Sequence, residues 1–156
     1  MKTGRNLDSR WATFSLGSEM FALPVEGVQE VLMGQDLTPV PLAPAHIIGL
    51  LNLRGQIIPA IALRRRLRFP EHGDKDHQKI LVLKCNDGLI SVVVDDIGDV
   101  LDLPPERWRE PPATLLSQHR KFIEAICPID GFVVSGLNIE ALVRDEQEDD
   151  LGGEIQ

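Results

Sequence analysis

Residues 47–63 read IIGLLNLRGQIIPAIAL and carry a single charge, Arg54. The run is too broken to cross a bilayer, because Gly49, Asn52, Arg54, Gly55, Gln56 and Pro59 interrupt it. It is expected to form two short buried strands that meet between Asn52 and Gln56. Pro59 points to an edge position or an irregularity in the second strand. An arginine keeps its proton, so among apolar neighbours it needs a carboxylate or a binding surface. Glu30 is the partner expected for it. The residues leave two roles open for Arg54: holding the fold, or presenting a contact surface.

The flanking sequence is rich in strand and turn signals. Residues 11–23 alternate with period two, with Ala12, Phe14 and Leu16 on one face and a turn at Gly17, Ser18 and Glu19. Residues 80–85 and 89–94 flank Asn86-Asp87-Gly88, a strong hairpin signal. A last hairpin is expected around Asp130-Gly131, and Asn138 is placed to cap a C-terminal helix reaching Arg144. Val25, Val28, Val31 and Leu32 recur at helical spacing after Pro24, so residues 25–33 predict a short helix ended by Gly34, with Glu30 on one face. Many short strands with few helices indicate small barrels or a sandwich. No internal repeat is visible in the sequence.

Composition narrows the function. At 156 residues the chain suits one domain, or two small subdomains sharing a core. Cys85 and Cys127 lie far apart and read as core fillers in a reducing compartment. Residues 1–10 have no apolar signal region and are expected to be flexible, which with the absence of a spanning segment indicates a cytoplasmic protein without direct membrane insertion. Six units of the net charge of −8 fall in residues 145–156, an expected acidic tail. The rest is nearly neutral, which argues against nucleic-acid binding. Phosphate-binding glycine loops and nucleophile elbows are absent from the sequence. His72 and His77 with their neighbouring acids are a weak metal candidate, and Asp95 with Asp96 a weak acid pair. The basic run at residues 64–68 reads as a solvated or protein-contact patch.

Together these residues resemble one family. The block VPLAPAHIIGLLNLRGQIIPAIALR, residues 40–64, is similar to the central signature of CheW-like domains. Residues 14–23, 28–31, 92–101 and 137–142 match further segments in the same order. The resemblance covers residues 11–144 and implies a single all-β domain with short helices, made of two interleaved five-stranded SH3-like barrels with a groove between them. It also implies a non-catalytic adaptor without cofactor or metal, coupling the cytoplasmic tip of chemoreceptors to the regulatory domain of a CheA-type histidine kinase. A coupler for a non-flagellar pathway, such as surface sensing, twitching or second-messenger output, is the alternative. The family's ion pair falls on Glu30 and Arg54. Its partner-contact neighbourhood falls on Val28, Gly49, Asn52 and Gly55, where glycines would admit a partner's backbone. Ala62 departs from an aspartate common in the family, and Ser135-Gly136 is expected to interrupt the last strand.

Overall fold

The computed structural model describes residues 10–70 and 78–144. The first hairpin is β1 (Arg10–Leu16) and β2 (Glu19–Pro24). Then come β3 (Val28–Met33), β4 (Ile47–Leu53), β5 (Gln56–Ala62) and the short helix α1 (Leu63–Arg66). The second hairpin, β6 (Lys79–Cys85) and β7 (Gly88–Val94), is followed by β8 (Asp96–Asp102), helix α2 (Ser117–Arg120), β9 (Ile123–Ile129), β10 (Phe132–Leu137) and helix α3 (Ile139–Val143).

These strands form two five-stranded sheets, ordered β8-β1-β2-β10-β9 and β3-β6-β7-β5-β4. The two orders share one topology. In each, a hairpin from one half of the chain is flanked by three strands from the other half, and the hairpins join through a parallel pairing, β2 with β10 and β7 with β5. The bulges also correspond: β3 shifts register between Val28 and Glu30, and β8 shifts opposite Ala12 and Phe14. Chain leaving each outer strand reaches the far edge of its own sheet, where Thr38 bridges to Leu50 and Arg109 to Ile126. The two sheets are thus partly open, interleaved barrels of the expected class. The duplication lies in topology, which is why no sequence repeat discloses it.

Strand periodicity divides the interior into three cores. In β6, Leu81 and Leu83 face a core shared by both sheets, while Ile80 and Val82 face the interior of their own barrel. In β1, Phe14 and Leu16 enter the shared core, and Trp11 enters the other barrel beside Trp108, with ring centroids 4.5 Å apart. Alternate side chains of one strand are therefore buried in different places.

Several expectations need correction. Residues 25–33 form one 3-10 turn and then β3, not a helix. Gly27 and three β-branched valines weaken helix there, and β3 instead pairs with β6 from Val28 to Met33, broken by one bulge. Val28, Glu30 and Leu32 face inward, whereas Val31 and Met33 are exposed. Pro59 is not on an edge strand, since β5 lies between β4 and β7. The parallel ladder to β7 begins at Ala60, so the proline's missing N–H costs no bond there. Ser135-Gly136 does not interrupt β10, which pairs through Gly136 with Ala125 and Ala22. Gly136 makes room for the Trp108 ring, which would lie 3.1 Å from an added Cβ.

The basic run divides: Arg65 and Arg68 are exposed, as a solvated patch requires, whereas Arg64 and Arg66 are built into the fold. Arg64 binds Asp95, with Nε to Oδ1 at 3.0 Å, and a second oxygen of Asp95 accepts the Gly17 N–H at 2.7 Å. Arg66 is buried and donates to the carbonyls of Leu142, Ala141 and Arg144 at the end of α3. A cation suits those terminal carbonyls, which carry the negative end of the helix. Arg68 occupies a left-handed position after α1, at φ 63°, while Phe69 N–H reaches Arg64 and Arg68 N–H reaches Arg65. That is the hydrogen-bond pattern that usually places glycine at this position. Leu42 and Arg54 also have positive φ. A non-glycine residue in this region costs roughly 1–2 kcal/mol.

Gly136→Ala is expected to destabilise the protein by about 1–3 kcal/mol through overpacking against Trp108. Urea unfolding measures it, and an unchanged midpoint would refute the steric account of this glycine.

Candidate functional site

Arg54 and Gly55 are the two central residues of the β4–β5 turn, and both have positive φ, 51° and 87°. Two successive left-handed residues are what a tight hairpin with the right-handed strand twist requires. Asn52 supports this turn, its Oδ1 accepting the Gly55 N–H at 3.0 Å. The strained turn aims the Arg54 guanidinium across the barrel mouth to β3. There Nη1 and Nη2 donate to the two Glu30 carboxylate oxygens at 3.0 and 2.9 Å.

The pair joins the β4–β5 hairpin to the opposite edge of the same sheet. It acts as a clasp where the strand ladder leaves the barrel open. It is also exposed: the side chains keep 68% (Arg54) and 30% (Glu30) of their surface. Exposure lets solvent and salt weaken the attraction between the two charges, and it leaves the guanidinium accessible to a partner. The hydrogen bonds from Arg54 hold the Glu30 carboxyl below its ordinary value, against a smaller opposing effect of burial. The same bonds raise Arg54.

The remaining candidate residues divide. Val28 is half-buried and packs on the shared core, next to the bulge that carries Glu30. Gly55 is exposed, with open space where a Cβ would project. Gly49 is buried, and an added Cβ would meet Leu37 Cβ and the Thr38 carbonyl at 3.0 Å. The close approach that Gly49 permits is therefore made by this chain's own residues 37–38 rather than by a partner. Two exposed apolar side chains lie on the strands near the clasp in sequence, Val31 next to Glu30 on β3 and Ile57 three residues after Arg54 on β5. Helical spacing predicts Val31 inside, and the strand exposes it. Strand alternation around Glu30 is the signal that finds it.

Other chemistry finds little support. Among the described residues, no group of three or more His, Cys, Asp or Glu side chains is placed to hold a metal. His72 and His77 lie outside the described residues, as do the terminal segments 1–9 and 145–156. Asp95 is engaged by Arg64, and Asp96 is exposed on β8. Burial pushes the Cys127 thiol up despite the nearby Arg107 and Arg109, so it stays protonated and inert at neutral pH. Cys85 is half-buried at the edge of the shared core. Among the described residues, no helix is long and apolar enough to cross a membrane.

An all-β pair of interleaved barrels with an arginine–glutamate clasp at one mouth defines a class that comparison with known proteins identifies. A family model for the CheW-like domain matches residues 10–147, and the chain belongs to that family. It is 31% identical over 118 residues to the chemotaxis protein CheW of Treponema pallidum, covering 73% of this chain and 69% of that protein. Against the chemotaxis protein CheW of Klebsiella aerogenes it is 27% identical over 146 residues, 92% of this chain and 87% of that protein. The crystal structure of the scaffolding protein TtCheW from Thermoanaerobacter tengcongensis superposes with a TM-score of 0.81 at 26% identity. That match covers 89% of this chain and 94% of that one.

Because Glu30 titrates low, the stability contributed by the clasp is fully present above its ordinary value of 4.5 and is lost as pH falls through the lowered folded-state value. The carboxyl carbon of Glu30, followed by NMR, is expected to titrate below 4.5 in the wild type and to return toward 4.5 in Arg54→Ala. Equal midpoints in the two proteins would show that the pair does not form in solution.

Proposed function

We propose that this chain is a non-catalytic cytoplasmic scaffold of chemotaxis signalling, coupling chemoreceptor tips to a CheA-type histidine kinase. Membership of the CheW-like family supports the scaffold role, and its relatives are chemotaxis proteins. The observation that carries the site is the accessible Arg54–Glu30 clasp. A guanidinium fixed in orientation by a carboxylate, and still largely exposed, suits contact with a protein that brings a hydrogen-bond acceptor. In this reading Arg54, Glu30 and Gly55 meet the partner. Asn52 holds the turn and Val28 sits beside the bulge behind them, while Gly49 admits residues 37–38 of this chain.

Such contacts are individually weak and gain strength when many copies are held in one array. The reading needs no cofactor, metal or catalytic group.

The test is binding of the full chain to the regulatory domain of a CheA-type kinase and to a receptor-tip fragment from the same source. The wild type is expected to bind both. Arg54→Ala, folded by circular dichroism, is expected to lose at least tenfold in affinity for one or both. If the folded variant binds both normally, Arg54 is no contact residue. If the wild type binds neither, the coupling role itself fails.

A further inference from the structure

The chain leaves the fold through a patch of positive charge. The carbonyl of Arg144, the last described residue, accepts a hydrogen bond from Arg66. The Arg66 guanidinium carbon lies 5.1 Å from the centre of the Phe122 ring, and Lys121 Nζ lies 5.2 Å from the same centre. Arg68, Arg120, Lys121 and Arg144 are all exposed. Five cationic side chains therefore lie at or next to the contacts that hold residue 144. Residues 145–150 read DEQEDD, five acids in six positions, and Leu151 follows them. Blocks of like charge of this size commonly serve as interaction segments.

An apolar groove opens beside this patch. It has a volume of about 390 Å³, and Phe21, Leu67, Phe69, Leu115, Leu116 and Ile123 line most of it. Leu67 follows Arg66 in the chain and Ile123 follows Phe122, so the groove wall and the charged patch are continuous. Residues 112–116 supply another wall, which Arg120 fixes: its Nη2 donates to the carbonyls of Ala113 and Leu115 at 2.7 and 3.1 Å. A wall already held in place loses little freedom when it is covered. Glu19 is the acid among the lining residues, so the groove itself suits an uncharged side chain while its approach suits acids.

Residues 145–151 carry those features in that order. The acids come first, where the chain passes the cations, and the leucine comes after them. Seven extended residues reach at most roughly 25 Å, enough for Leu151 to pass Arg66 and arrive at a groove whose wall begins at the next residue, Leu67. Opposite charges at this range attract through about 10 Å of dilute salt solution.

We propose that residues 145–151 are the ligand of this surface, with the acids against Arg68, Arg120 and Lys121 and with Leu151 in the groove. A tether this short holds the leucine at a local concentration on the order of millimolar, so any partner segment that uses the groove must displace it. The test is methyl NMR of the full chain at low salt. Cross-relaxation is expected between the Leu151 methyls and those of Leu67 or Ile123, and it should be lost at about 0.5 M salt, where screening shortens the attraction to a few ångströms. Leu151→Ser is expected to shift the groove methyls. Joint replacement of Asp145, Glu146, Glu148, Asp149 and Asp150 by their amides should shift them to the same positions. Both variants leave residues 10–144 unaltered, and unchanged circular dichroism checks the fold. No contact between Leu151 and the groove at low salt overturns the proposal. So do groove methyls indifferent to both variants, or shifts confined to the Arg68 and Lys121 amides. Contact seen only between differently labelled chains in a mixed sample overturns it in favour of a second copy's tail.

Discussion

Two hairpins, β1–β2 and β6–β7, are covered on both faces, and the rest of the molecule is arranged to cover them. One face of each lines its own barrel and the other meets its counterpart across the shared core. Neither hairpin has a solvent side to spare, and this accounts for runs such as ILVL at residues 80–83 and SVVV at 91–94. The exchange of strands between halves follows: each hairpin is flanked by β-strands from the half of the chain to which it does not belong. Arg66 of α1 then ties the first half to the end of α3 in the second, donating to the Leu142 and Ala141 carbonyls there.

Much of this was legible in the sequence, and the failures have physical causes. The hairpins at Gly17-Ser18, Asn86-Asp87 and Asp130-Gly131 follow from turn chemistry acting over a few residues, and so does the Asn138 cap, whose Oδ1 accepts the Ala141 N–H at 3.2 Å. The misread segment was β3. Its valines fit helical spacing, and only the edge of β6, some fifty residues later, makes the strand the better state. Arg64 and Arg66 were misread because their acceptors, Asp95 and the Leu142 carbonyl, lie 31 and 76 residues further along the chain. Gly136 looked like an interruption because its reason, the Trp108 ring, comes from another part of the chain. Local chemistry was readable, and long-range partners were not.

At the candidate site the same division holds. A lone arginine in an apolar run announces that it needs a partner, and Glu30 meets it with two hydrogen bonds. That the pair is accessible, and that it spans the opening of a barrel, depends on a turn with two consecutive left-handed residues and a bulge on the facing strand. The corresponding positions of the second barrel are Asp99, on the β8 bulge, and Asp130, in the β9–β10 turn. Two carboxylates offer no equivalent attraction, so the duplicated topology carries two chemically different mouths.

The strand exchange also determines how the chain can fail. Cutting the connection between α1 and β6 would leave each fragment with a hairpin lacking flanks and three strands lacking a centre. Neither piece would retain a complete core, and only mixing the two would restore both barrels. The chain has no seam along which one half could melt while the other goes on working. The protein is therefore folded as a whole or not at all.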